Sequence, residues 1–178
     1  MSAYPYFFIE KYNYHKDKWE NMVLYTKDDQ GEFKTVEFWP WNGTHEVFSA
    51  LGFENGAEFD FDNIHYGLPI NCSEEIKELY KGFYNDSDAF GYKPEVKWFN
   101  LADAKLFVYS HPKFTDYETM EEVWQHNPDL AYEEVEKVYM DNPLKEFVDR
   151  VMTYVNMADD FIGDYAPSDI RVIGWMSY

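Results

Sequence analysis

The run from Asn142 to Gly163 constrains the fold most. Leu144, Phe147, Val148, Val151, Met152, Val155, Ala158 and Ile162 recur at the three-and-four spacing that places them on one side of an α-helix. Asn142 can satisfy the first free amides, Pro143 suits a first helical position where its missing N–H costs nothing, and Gly163 provides a stop. So long an apolar stripe has to lie against a second layer. The spacing therefore predicts a central core helix over 143–162.

That layer is legible at the two ends of the chain, where the period falls to two. Phe8, Glu10, Tyr12 and Tyr14, then Met22 and Leu24, then Phe33, Thr35, Glu37 and Trp39 alternate with their neighbours, which predicts an antiparallel meander whose last turn is 27–32. The β-rich run 170–175 is predicted to join the same sheet. Between the ends, Thr44 opens a short helix carrying Val47, Phe48 and Leu51, residues 53–71 read as an extended loop, and Ser73 opens a helix with an Ile76, Leu79, Tyr80, Phe83 stripe. Glu95 to Phe99 reads as a strand and Asn100 as the cap of a helix reaching Tyr109. Thr115 and Glu118 have capping-box spacing for a helix from 116 to about 126, and Asn127-Pro128 repeats the Asn142-Pro143 device, predicting another helix start. Met120, Val123, Trp124, Val135, Val138 and Tyr139 are the core stripes expected there. The fold class is α+β: an antiparallel sheet from the N-terminal meander plus the C-terminal strand, packed by helices including the long one near 143–162. One domain is expected over 1–178, with an acidic helical insertion at about 112–142.

Charge narrows the partners. The 34 acidic against 15 basic residues leave a formal net charge of −19, which repels nucleic acid and anionic lipid, so direct nucleic-acid and membrane binding are not expected. A content of 46% hydrophobic and 21% aromatic residues separates the chain from acidic sequences that stay unfolded. Cys72 is the only cysteine, which excludes an internal disulfide and a cysteine-rich zinc site. With no basic n-region at its start and no apolar stretch long enough to span a bilayer, the chain is expected to be cytoplasmic.

No reaction motif emerges. There is no Gly-x-Ser-x-Gly elbow and no glycine-rich phosphate loop, and Cys72 has no cationic neighbour in sequence to activate it, so no catalytic residue and no cofactor are expected. Asp60, Asp62 and His65, with His45, are the candidate metal ligands, but their spacing matches no metal motif and reads as solvated loop. A small-molecule- or metal-dependent pocket built by loop 53–71 remains the alternative to a binding role.

The acids are segregated. Segment 54–75 holds six carboxylates and no Lys or Arg, and segment 115–142 holds nine against Lys137 alone. Such a face either keeps the protein dispersed or imitates the phosphates that a basic protein binds. In sequence blocks, residues 41–51, Tyr66-Gly-Leu-Pro69 leading into 73–80, and 171–175 resemble a family of small acidic proteins encoded by phages and prophages of Gram-positive bacteria, which has no assigned activity. The likeness covers roughly two thirds of the chain in scattered blocks; the stretch 112–142 stands as an insertion, and Tyr66 sits where the family more often has Arg or Lys. The resemblance implies a phage setting, where small accessory proteins bind and disable host components. Charge and resemblance together predict a non-enzymatic, DNA-mimic-like inhibitor of a basic, nucleic-acid-binding host defence protein, of the anti-CRISPR kind. Its expected contact residues are Asp116, Glu118, Glu121, Glu122, Asp129, Glu133, Glu134 and Glu136, with Trp39 and Trp41 flanking Pro40 as an aromatic platform.

Overall fold

The alternating N-terminal run forms β1 (Tyr4–Asn13) and β2 (Lys18–Asn21), a hairpin turned over Asp17, whose φ of 52° lies in the left-handed region. Asn13 Oδ1 accepts from the amides of His15 and Lys16, and the Lys16 ammonium at 2.8 Å, with Asn13, holds the Glu20 carboxyl down at about 2. The computed structural model describes residues 4–27, 29–36, 61–88, 95–162 and 165–177.

The expected meander divides after β2. Met22 is buried and its amide donates to Ile9 O, and the chain then leaves the sheet to form a separate hairpin of β3 (Leu24–Lys27) and β4 (Phe33–Val36). The expected helix at 44–51 and the residues Glu37, Trp39 and Trp41 lie outside the described residues. The stretch read as a long loop contains β5 (His65–Tyr66), followed by α1 (Glu74–Asp88), with Ser73 Oγ accepting from the Ile76 amide. β6 (Val96–Asn100) leads directly into α2 (Leu101–Ser110), whose cap is Asn100, its side chain accepting from the Ala102 amide.

Next comes an excursion. β7 (Lys113–Thr115), α3 (Tyr117–Gln125), a 3₁₀ turn at Tyr132–Glu134 and β8 (Tyr139–Asp141) run out and back, with β7 and β8 paired antiparallel. Two expectations are corrected here. Asp116, not Thr115, caps α3, because Thr115 is still paired in the ribbon opposite Tyr139 and the helix starts one residue later. Asn127-Pro128 opens no helix: the Asn127 side chain donates back to Val123 O and closes α3 instead. α4 (Pro143–Ile162) comes next, then a 3₁₀ turn at Pro167–Asp169 and β9 (Ile170–Ser177).

β9 takes the middle of a five-stranded antiparallel sheet of order β2-β1-β9-β6-β5. The fold is therefore α+β, with helices on both faces. On one face Phe7, Ile9, Phe99 and Val172 pack with Leu101, Ala104 and Val108 of α2 and with Leu144, Phe147, Val148, Val151 and Val155 of α4, the predicted stripe. On the other, Phe8, Val96, Ile173 and Trp175 pack with Ile76, Tyr80 and Phe83 of α1, Phe8 stacking on the Trp175 ring at 4.5 Å. Gly174 is required where β9 passes Phe7. A Cβ there would stand 2.7 Å from Phe7 Cε1 and 2.8 Å from Cδ1, and Phe7 is held 4.8 Å from the Phe147 ring. Gly174→Ala is expected to destabilise the fold by about 1–3 kcal/mol through overpacking, measured as a lowered urea midpoint at unchanged slope.

Candidate functional site

Asn142 shapes the acidic excursion. It is 2% exposed and uses its whole side chain: Nδ2 donates to His111 O at 2.8 Å while Oδ1 accepts from the Leu144 amide at 2.9 Å. Its backbone amide donates to Pro112 O at 3.0 Å. One residue thus caps α4 and pins together the two ends of the chain segment 113–141, which leaves the body and returns to it at a single neck.

Within that segment the apolar side chains do little burying. Met120 and Val135 are buried and Val138 is partly so, but Val123, Trp124 and Tyr139, expected in the core, are exposed. The physical reason is that α3 has no extended contact with the five-stranded sheet or with another helix, so little of its apolar side can be covered. Among the predicted contact residues, Glu118, Glu121, Glu122, Asp129, Glu133, Glu134 and Glu136 are exposed, and no ion pair neutralises any of them among the described residues. Glu134 also accepts from the Ala131 amide and Glu121 from the Gln125 side chain. Asp116 is engaged differently. Its carboxylate accepts from the Thr119 amide at 2.9 Å and from Thr119 Oγ1 at 2.7 Å, and these bonds lower its pKa from the ordinary 3.8. The Trp39 and Trp41 platform lies outside the described residues.

A second constellation was not anticipated from the sequence. Glu10 of β1 and Arg171 of β9 are opposite one another in register, 0% and 2% exposed, with Arg171 Nε and Nη2 at 2.6 and 2.5 Å from Glu10 Oε2. Glu10 Oε1 accepts from the Ser73 amide at 2.6 Å, and Arg171 Nη1 donates to Asn71 Oδ1 at 2.9 Å. The guanidinium lies 4.0 Å from the Trp19 ring centroid and 5.6 Å from that of Trp98. Burial lowers the Arg171 pKa while the Glu10 charge opposes that shift, and burial together with the nearby Glu10 charge raises the Cys72 thiol, which keeps it a poor nucleophile. The signal was available: Glu10 and Arg171 are charges at apolar-face positions of β-patterned runs.

Clefts lie on both sides of Asn71. One, of about 520 Å³, is bordered by Tyr12, Trp19, Asn71, Ser73, Glu74 and Lys77; the other, of about 540 Å³, by His65, Tyr66, Leu68, Ile70, Asn71 and Trp98. In the second, His65 is stacked on Trp98 at 4.1 Å. Asp62 is exposed in the preceding turn, while His45 and Asp60 lie outside the described residues. No three His, Cys, Asp or Glu side chains among the described residues stand together as a metal site would require.

No family model, curated protein or solved structure matches this chain. The phage-family expectation rests on the sequence blocks alone.

Arg171→Met leaves the Glu10 carboxylate buried without its cation and is expected to cost about 3–5 kcal/mol in urea denaturation. The double variant Glu10→Gln/Arg171→Met, in which the amide oxygen can still accept from Ser73, should lose distinctly less than Arg171→Met alone. For Asp116 the folded pKa is depressed, so its contribution to α3 is fully present above the ordinary value and disappears as pH falls through the lowered one. Asp116→Ala should give the amides at the start of α3 faster hydrogen exchange at neutral pH, and in the parent protein acidification through the lowered pKa should reduce their protection factors relative to the unfolded chain at the same pH.

Proposed function

We propose that the protein is a non-enzymatic binding protein of the cytoplasm that engages a basic, nucleic-acid-binding partner through the carboxylates of segment 113–141. The observation that carries this reading is the display of seven exposed carboxylates, none neutralised by a cation among the described residues, on a segment tied to the body at one neck. Carboxylates so placed can occupy the positions that a partner's Arg and Lys reserve for phosphates, and competition with DNA or RNA results from that occupancy. The sequence resemblance supports a phage-encoded inhibitor of a host defence protein as the biological form of this activity.

Among the described residues no helix is long and apolar enough to cross a membrane. A net charge of −19 opposes binding to anionic lipid, which favours a protein partner over a lipid surface. A small-molecule role for the cleft bordered by His65 and Trp98 is the second reading, favoured by its stacked aromatic wall. A thermal-shift screen of nucleotides and divalent ions tests it, and a shift lost in Trp98→Leu would support it.

For the main reading, the test is replacement of Glu121, Glu122, Glu133 and Glu134 by Gln. Circular dichroism should be unchanged, because exposed charges of one sign contribute little to stability. In parallel capture from a bacterial lysate, the parent protein should retain a basic nucleic-acid-binding protein that elutes with rising salt and is displaced by DNA or RNA. The variant should lose about 1–3 kcal/mol of affinity for each carboxylate that meets a buried cation. Equal retention by the folded variant would count decisively against the acidic face.

A further inference from the structure

Helix α3 is amphipathic, yet of its apolar side chains only Met120 is buried; Tyr117 is 52% exposed and Val123 and Trp124 are each 40% exposed. The strip continues across the chain, because Tyr132 stands at right angles to Trp124 with 5.9 Å between ring centroids. Carboxylates border it: Glu121 lies one turn before Trp124 and Glu133 comes directly after Tyr132, both exposed. An apolar helix face left open invites an occupant, and the charge around it selects which one. A second copy of this chain would bring the same carboxylates and its own charge of −19, so self-association is opposed.

A cation meets no such barrier, and the rings discriminate between cations. A guanidinium is planar and weakly hydrated, stacks on an indole face, and offers a fork of N–H donors that matches a carboxylate; an ammonium is a compact, strongly hydrated point charge. We infer that the strip on α3 and the turn after it seats arginine side chains of the partner, with Trp124 and Tyr132 taking the guanidinium planes and Glu121 and Glu133 their N–H donors. This rests on the acidic-face reading above and adds to it a preference for arginine over lysine.

The test uses the full chain with oligo-arginine and oligo-lysine peptides of equal length, titrated by calorimetry at moderate salt. The parent protein should bind oligo-arginine about tenfold more tightly than oligo-lysine. Trp124→Leu keeps an apolar side chain of good helix propensity and removes the π face, so α3 should persist by circular dichroism while the ratio falls toward one. The Gln variant at Glu121, Glu122, Glu133 and Glu134 should weaken both peptides. Equal binding of the two peptides, or an arginine preference that survives Trp124→Leu, would overturn the inference while leaving the acidic face standing. Binding of neither peptide removes both. Sedimentation that shows a dimer abolished by Trp124→Leu would overturn it too, assigning the strip to a second copy.

Discussion

The ion pair between Glu10 and Arg171 determines how the sheet can be assembled. The two residues face each other across β1 and β9, the pairing that closes the chain from its N-terminal strand to its C-terminal one. A slip of one residue in that register would turn one charge toward the face where Phe7, Ile9 and Val172 pack against α2 and α4, and leave its partner unpaired on the other. Each unpaired buried charge costs several kcal/mol, far more than the pairing energy of a few strand residues. The same two side chains locate their surroundings. Glu10 takes the Ser73 amide at the start of α1, and Arg171 takes Asn71 in the segment leading to it. Helix, sheet and connecting loop are thus set by one carboxylate and one guanidinium, with Trp19 and Trp98 excluding water from the guanidinium faces.

Asn142 does on the other side of the sheet what Glu10 does on this one, with a neutral side chain. Its amide group bonds to His111 and Leu144, so the end of α2, the neck of the excursion and the start of α4 share one buried hub. Rigid attachment matters for the acidic segment. A charged strip carried on a flexible arm would give up entropy each time it docked, whereas one held at a pinned neck presents its carboxylates already arranged. The β7–β8 ribbon and the Asp116 cap extend that rigidity outward by one layer each.

The sequence was most readable where local chemistry and burial agree. Leu144 to Val155, the Asn100 cap, the Ser73 helix start and the return of residues 170–175 to the N-terminal sheet all derive from period and capping, because each has a tertiary layer that rewards the local preference. Reading failed where that layer is missing. Asn127-Pro128 has the same local signal as Asn142-Pro143, but the residues C-terminal to it have no sheet to cover, and the Asn side chain turns back to Val123 instead. Val123 and Trp124 look like core residues for the same reason: their spacing is right for a buried face, yet both stay substantially exposed. Glu10 and Arg171 each stand out as charges in β-patterned runs, but their pairing with one another was not legible. Pairing over 161 residues is a property of the strand register, and no local window contains it. Of the candidate site, composition could place the carboxylates in one segment, but not show that they escape the body's cations.

That escape is what the proposed recognition surface requires. Elsewhere the protein commits its few bases to its own acids: Lys16 to Glu20, Lys77 to Glu74, Lys145 to Asp149 and Arg150 to Glu146, all one helical turn or one hairpin turn apart. Each such pair is exposed and adds little stability, but it cancels the local field. Along 115–142 only Lys137 is available to cancel nine acids, and among the described residues it joins none of them in an ion pair. A run of nine acids against one base is therefore carried on a pinned ribbon, with no ion pair among the described residues to offset it. In the proposed reading, a basic surface that comes within about 8–10 Å at physiological salt meets these carboxylates beside the open apolar strip of α3.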